Sequence, residues 1–424
     1  MAFAYGRAGN QPRRRVVVTG IGAITPLGQD AQTFWQALVE GQSGIDWMRQ
    51  ADTTNYPCKV AGEVNDWQPE RFIDRKEARR MARFSQFAVA AAGQAIADAG
   101  LDLDHEDRER IGVYLGNGNG GYPNIDEAVR TIVAKGGMRL DPLFMPKSLP
   151  NMAAAQVSLQ YGIKGYNGTM ITACAAGTQA IGEAAEVIRR GQADVVLSGG
   201  TEAGISELGL AAFSVMRAMS SRSDDPTKAS RPFDAGRDGF IPAEGAAILV
   251  LESLEHARAR GARILAEVTG YAASADAYHI VAPCPDGEGA ARTMRWALEN
   301  AGRTVDDVDY INAHGTSTPL NDQTETLAIK AVFGEHAYHV PISSTKSMIG
   351  HAFGASGALE TVACIKSIET GTIHPTVNQE CPDPVCDLDY VPNTARRADV
   401  RVVLKNSFGF GGQNACLVLE KVDE

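Results

Sequence analysis

Cys174 sits in Thr172-Ala173-Cys174-Ala175-Ala176-Gly177, where a short apolar run gives way to a small-residue helix. A helix start carries partial positive charge and unpaired N–H groups, which favour a thiolate and could also hold an oxyanion on a bound carbonyl. Position alone leaves two readings open, a nucleophile and a buried structural thiol. His314 lies in Asn312-Ala313-His314-Gly315-Thr316-Ser317-Thr318-Pro319, just after an apolar strand, and His351 lies in Gly350-His351-Ala352-Phe353-Gly354, immediately before a second small-residue helix. Each alone reads equally as a satisfied core or capping histidine. One cysteine and two such histidines form a constellation suited to acyl transfer, whereas a zinc site built from them lacks a short-spaced ligand pair. The tail Asn406-Ser407-Phe408-Gly409-Phe410-Gly411-Gly412-Gln413-Asn414 is either a tight turn between two strands or a hinge on which Phe410 swings, with bare N–H groups facing a site.

The elements that must position these residues alternate along the chain. Strand-like runs at 16–18, 111–115, 195–197, 247–251, 310–312 and 402–404 alternate with helical stretches, which predicts an α/β layered fold. The Phe34/Leu38 segment is amphipathic, and 220–228 reads as a surface loop. A weak repeat runs through the chain. Ala175-Ala176-Gly177 opens a helix ending at Gly191, and Ala355-Ser356-Gly357 opens one ending at Gly371, with the same glycine spacing. Two related halves follow, divided near 260–266: a flexible leader over 1–13, an N-terminal half over 14–262 with the cysteine, and a C-terminal half over 263–424 with both histidines. Gly20-Ile21-Gly22 and Gly116-Asn117-Gly118-Asn119-Gly120-Gly121 each follow a strand but lack the partners of a nucleotide loop. Both read as tight turns that let backbones approach closely.

Composition bounds the function. The chain has 424 residues, 44% hydrophobic and 21% charged, as an ordinary globular enzyme has. A formal net charge of −11 disfavours bulk attraction to nucleic acid or an anionic membrane. No apolar stretch reaches the ~20 residues needed to cross a bilayer, and the first fifteen residues hold no signal-peptide core, so the cytoplasm is the expected compartment. Seven scattered cysteines make no disulfide framework, and Cys381 with Cys386 has the wrong spacing for a zinc knuckle. No metal and no cofactor is expected. The basic run Arg75-Lys76-Glu77-Ala78-Arg79-Arg80-Met81-Ala82-Arg83 is either the solvated face of a helix continuing through Phe84, Phe87 and Ala91 or a dock for an acidic partner.

Together these segments resemble the β-ketoacyl-acyl-carrier-protein synthases of type II fatty-acid synthesis, most closely the elongating synthase II branch. The similarity runs from about Arg14 to Leu419. It includes Val17-Val18-Thr19-Gly20, Arg231-Pro232-Phe233-Asp234, Arg237-Asp238-Gly239-Phe240, Asp276-Ala277-Tyr278-His279 and the ordered set Cys, His-Gly-Thr-Ser-Thr, Lys-Ser, Gly-His, Gly-Phe-Gly-Gly. The resemblance implies a thiolase-like fold, a duplicated five-layer α-β-α-β-α arrangement, and a homodimer. It assigns Cys174 as acceptor of the acyl chain, with the backbone N–H groups of Cys174 and Phe410 as oxyanion hole. His314 and His351 would promote decarboxylation of malonyl-carrier protein, and His314 could activate a water as well. Lys346, paired with Glu325, would hold the charge pattern, with Asp322 as a further supporting carboxylate. Thr316 and Thr318 would bond the pantetheine arm, while Asn119, Phe213 and Phe408 would line the substrate site. Lys76, Arg79, Arg80 and Arg217 would meet the acidic acyl carrier protein.

Two departures touch the substrate. Asn119 stands where the elongating branch commonly has an apolar residue, and Val281-Ala282 stands where hydroxyl side chains often hold pantetheine. Three alternatives remain: a type II polyketide ketosynthase, a thiolase, which would need a second catalytic cysteine where Phe410 stands, and a non-catalytic partner subunit, which usually lacks the nucleophile.

Overall fold

Long runs of Val, Ile and Leu predict strands covered on both faces. Strands β1 (Val16–Ile24) and β5 (Gly245–Ser253) are buried at every residue. The molecule was studied as a computed structural model that describes residues 13–423; apart from Arg13, the leader expected over 1–13 lies outside the described residues. With β2 (Ile111–Gly116), β3 (Asn167–Met170) and β4 (Val195–Glu202), these strands make a first set of five. A second set follows: β6 (Ala266–Ala275), β7 (Tyr310–Asn312), β8 (Ile342–Ser343), β9 (Val402–Gly409) and β10 (Gln413–Glu420).

The order is β8-β7-β9-β10-β6-β1-β5-β4-β2-β3. Outward from the junction of β1 and β6, each set runs first, fifth, fourth, second, third. In both sets the second strand is parallel to the third and fourth, and the fifth is antiparallel to the first and fourth. In the strand ladder the sets join where Val17 lies opposite Glu267 and Val18 opposite Ala266.

Helices fill three layers around the strands. Helix α1 (Arg83–Asp98) covers β1, β5 and β4 from outside. Helices α3 (Glu288–Ala301) and α4 (Pro319–Phe333) lie on the far side, with α3 packed on β6 and β10 and α4 packed on α3. Between the two strand sets run α2 (Ala176–Arg189) and α5 (Ser356–Thr370). Twelve of the fifteen residues of α5 are buried, as expected for a helix walled by protein all round. The result is the α-β-α-β-α layering expected above, and the central core draws residues from both halves, among them Ile181, Leu249, Leu359, Val403 and Leu417.

Two local expectations change. Gly20 and Gly22 lie inside β1 rather than in a turn. A Cβ at Gly20 would meet the Ala95 carbonyl at 2.3 Å, and one at Gly22 the Ala91 carbonyl at 2.1 Å. The glycines therefore serve close packing of α1 on the strand. The basic run is also not one helix: Arg75–Ala78 is a single turn capped by Asp74, and α1 restarts at Arg83.

The central helices cross at their first turns. A Cβ at Gly177 would lie 2.8 Å from the Gly354 carbonyl, and one at Gly357 would lie 2.2 Å from Thr178 Oγ1. The residues before each start, Ala173 and Phe353, share a left-handed φ of 49° and 42°. Cys174 and Gly354 thus occupy equivalent turns facing each other. Gly357→Val is expected to wedge the crossing apart and cost about 1–3 kcal/mol in urea unfolding. Gly191→Ala, with φ of 72° and no neighbour within 4 Å, should cost only about 1 kcal/mol from backbone strain.

Candidate active site

Cys174 occupies the centre of the turn Ala173–Ala175, between β3 and α2. It is 7% exposed. The helix-start argument favours a thiolate, but burial outweighs it and pushes the thiol up to about 12. The positive charge of Lys346 and the N–H groups of Phe410 and of Cys174 itself oppose the shift. The resting group is therefore a thiol, with two backbone donors already aimed at it. Gly409 permits the approach, since a Cβ there would sit 3.1 Å from the Cys174 nitrogen. As expected, the Phe410 turn (Phe410–Gly412) links β9 to β10.

His314 and His351 converge on the cysteine. The sulfur and one nitrogen from each ring all lie within 4.8 Å of one another, and the rings meet edge to face at 5.5 Å. Such a trio could bracket a cation, but an ammonium beside it argues otherwise. Lys346 Nζ lies 3.3 Å from His314 Nδ1 and donates to the His314 carbonyl at 2.6 Å. An ammonium can only donate, so His314 Nδ1 accepts and the ring proton resides on Nε2. His351 Nδ1 accepts the Phe353 N–H at 3.2 Å and lies 2.9 Å from Ser356 Oγ, which gives the same tautomer. Burial first, then Lys346 and Lys405, hold His351 well below the usual imidazole range; the same groups and His351 itself do so for His314. Two neutral rings thus present N–H donors to one point.

The expected pairing of Lys346 with Glu325 is not what the chain adopts. Lys346 pairs with Glu360, one turn into α5. Glu325 instead accepts the backbone N–H groups of His314 and Gly315, each at 2.8 Å, and Asp322 accepts those of Thr316 at 3.0 Å and Phe233 at 2.9 Å. The cause is their position: three apart on the inner face of α4, both carboxylates lie under the loop that carries His314. Burial raises Glu325 to about 6, with those N–H groups limiting the rise.

A cavity of roughly 460 Å3 opens over these groups. Phe408, whose ring lies 5.8 Å from His314, and Phe410 line one side. Phe213, Phe240 and Phe353 form an aromatic wall beside His351, with Phe213 stacked on Phe353 at 4.9 Å. Thr316 and Thr318 line it too, their hydroxyls 2.8 Å apart. Exposed Arg217, His279, Val281 and Leu320 mark its mouth, and half-buried Ala282 lines it too. Asn119 lies in the wall; its Nδ2 is buried with no partner among the described residues. Lys76, Arg79 and Arg80 are exposed, Arg80 pairing with Glu77 at 3.0 Å.

Three buried charges escaped the sequence reading. Glu360 lies between Lys346 and Lys405, and Glu202 accepts the N–H groups of Gly118 at 2.9 Å, Asn119 at 3.3 Å and Gly354 at 3.2 Å. Burial raises Glu202 to about 7. A signal existed for two of them: a carboxylate in the small-residue opening turns of a helix and a lysine closing the apolar run Val402-Val403-Leu404.

Glu360→Gln would leave two buried ammonium groups without their shared counter-charge, and a loss of about 3–5 kcal/mol is expected in denaturant unfolding. Stability should also respond to acid. Unfolding restores both histidines to a pKa of about 6.5, so below that pH these two rings take up protons on unfolding, while Glu202 and Glu325, raised by burial, release them. The histidine contribution is read as a difference: between neutral pH and about pH 5 the unfolding midpoint of the parent is expected to fall relative to that of a variant carrying His314→Gln and His351→Gln.

Comparison with known proteins agrees with this geometry. Residues 13–257 match the model for the beta-ketoacyl synthase N-terminal domain, and residues 265–380 that for the C-terminal domain. The chain is 50% identical over 412 residues, 97% of its length and 99% of the relative's, to a Synechocystis protein named 3-oxoacyl-[acyl-carrier-protein] synthase 2. Among solved structures, a beta-ketoacyl synthase from Burkholderia phymatum superposes with a TM-score of 0.90 at 38% identity, covering 97% of this chain and all of that one. A ketosynthase of a type II polyketide system, solved in complex with its acyl-carrier protein, gives 0.89 at 38% identity with the same coverage. With both domains matched in order, and with Cys174, His314, Lys346 and His351 inside the matched stretches, the chain belongs to the β-ketoacyl synthase family.

Proposed function

We propose that this protein is a 3-oxoacyl-acyl-carrier-protein synthase II, an acyltransferase that extends fatty acids by two carbons through decarboxylative Claisen condensation. The observation that carries the reading is one buried sulfur facing two neutral imidazole donors and two backbone N–H groups. In the first half-reaction the Cys174 sulfur attacks the acyl thioester. The oxyanion takes hydrogen bonds from the N–H groups of Cys174 and Phe410, and the cysteine proton ends on the departing pantetheine sulfur. In the second, malonyl-carrier protein loses carbon dioxide. The electron pair left behind forms an enolate whose oxygen accepts from the Nε2–H groups of His314 and His351. Neutral rings stabilise that oxygen without protonating the carbon too early. The carbon attacks the acyl-cysteine, and the Cys174 sulfur leaves and regains a proton.

The partner that fits is an acidic acyl carrier protein, met by exposed Lys76, Arg79 and Arg80 and by Arg217 at the cavity mouth, with Thr316 and Thr318 along the pantetheine path. Asn119, Phe213 and Phe408 would contact the acyl chain. We read the division as 14–262 and 263–424, which the repeated strand order supports. A homodimer is supported by β3, an open edge strand flanked in sequence by exposed Leu159, Tyr166 and Ile171. The cytoplasm is the proposed compartment; among the described residues no helix is long and apolar enough to cross a membrane. A type II polyketide ketosynthase is the second reading, favoured by the unpartnered Asn119 amide in the cavity wall, which suits a chain bearing oxygen.

Incubation with acyl-carrier proteins of several chain lengths and malonyl-carrier protein should give an acyl adduct on Cys174 and a β-keto product two carbons longer, both read by mass. Absence of both at every length would contradict the proposal, and thiolysis by free CoA would favour a thiolase. His351→Ala should keep the adduct yet lose about 2.7–4 kcal/mol of barrier lowering in condensation, roughly a hundredfold to a thousandfold in rate.

A further inference from the structure

Lys405 is fully buried on β9, and the chemistry described above does not use it. Its ammonium has two acceptors and one counter-ion. It donates to Thr178 Oγ1 at 2.7 Å and to Ser407 Oγ, and it pairs with Glu360 Oε2 at 2.8 Å. Thr178 and Ser407 also bond each other at 2.8 Å. The two hydroxyls take its hydrogen bonds, and Glu360 Oε2 lies beside it as a counter-ion.

The placement ties together two parts of the site. Thr178 stands in the first turn of α2, four residues after Cys174, and Ser407 stands three residues before Phe410. The donor nitrogens of the oxyanion hole belong to Cys174 and Phe410, so Lys405 staples the two segments whose spacing defines that hole.

The charge count points the same way. Lys346, Glu360 and Lys405 sum to one surplus positive charge, all three side chains being at most 1% exposed. A neutral Lys346–Glu360 pair would be cheaper to bury, because an unbalanced charge in the interior carries a large desolvation penalty. Stability therefore does not account for the second ammonium. It lies below two imidazoles that must stay neutral, and its charge is among the causes that hold both below their usual range.

We propose that Lys405 is a positioning residue for this site, stapling the Cys174 helix to the Phe410 strand and supplying surplus positive charge beneath the histidines. Its consequence for condensation rests on the function proposed above, but its effect on the Cys174 thiol does not. Lys405→Met removes the charge and keeps the bulk. The variant is expected to fold and to melt no lower than the parent. Alkylation of Cys174 by iodoacetamide, followed by mass against pH, should shift to higher pH by about half a unit, as loss of a nearby cation disfavours a thiolate. With malonyl-carrier protein, decarboxylation should fall at least about tenfold, and its acid limb should move to higher pH as the histidines become easier to protonate. In Lys405→Ala, methylammonium chloride should restore part of the lost rate, and tetramethylammonium chloride, which has no N–H to donate, should not.

An unchanged alkylation profile in folded Lys405→Met would overturn the proposal. So would a variant that fails to fold or melts far lower, since Lys405 would then be structural. A shifted alkylation profile in a protein that never condenses acyl chains would uphold the role of Lys405 and count against the function.

Discussion

Lys346 is buried, its side chain 1% exposed. Its three N–H groups end on Glu360, on the His314 carbonyl and against His314 Nδ1, and that arrangement dictates the state of the site. An Nζ donor 3.3 Å from an imidazole nitrogen leaves no place for a proton there and fixes the opposite tautomer. Burial alone lowers an imidazole, but it does not choose which nitrogen keeps the hydrogen. The ammonium does both. His351 reaches the same tautomer by another route, through a backbone N–H. Two different devices therefore give one result, a pair of neutral donors facing the sulfur.

The fold exists to bring these devices together. Two copies of one strand order place two small-residue helices back to back, and glycines at their crossing let the first turns touch. One turn holds Cys174. The equivalent turn holds Phe353 and Gly354, next to His351 and three residues before Ser356. The duplication thus sets a nucleophile and a donor against each other at one crossing. Glu202 fastens the glycine loop of the cavity wall to the second turn through three backbone N–H groups. His314 comes from a loop instead, and that loop is held by Glu325 and Asp322 acting as backbone acceptors, Asp322 also lying 3.7 Å from Arg237 Nε.

How much of this was legible beforehand follows from physics. Strands such as β1 and β5 announce themselves through the apolar runs Val16-Val17-Val18 and Ile248-Leu249-Val250-Leu251, and the repeated glycine spacing around 177 and 357 exposed the duplication. Cys174 and His351 stood out as reactive side chains among small residues just before helices, and His314 as one among small residues just after a strand. The partner of Lys346 did not, since Glu325 and Glu360 are equally plausible acceptors until the helices are placed. Gly20 and Gly22 misled in a similar way: a glycine needed for close contact with α1 has the same local signature as one needed for a turn. The state of the cysteine was also invisible. The helix-start effect can be read from the order of residues, but the burial that overrides it depends on everything packed above.

The central claim is that both imidazoles are neutral donors at working pH. Nitrogen-15 NMR of protein labelled in the histidine rings tests it most directly, with His314→Gln and His351→Gln used to assign the signals. The account predicts that both rings remain neutral with the proton on Nε2 at about pH 6, where an unperturbed histidine is largely protonated. An imidazolium signal from either residue at that pH, or a proton on Nδ1, would contradict it.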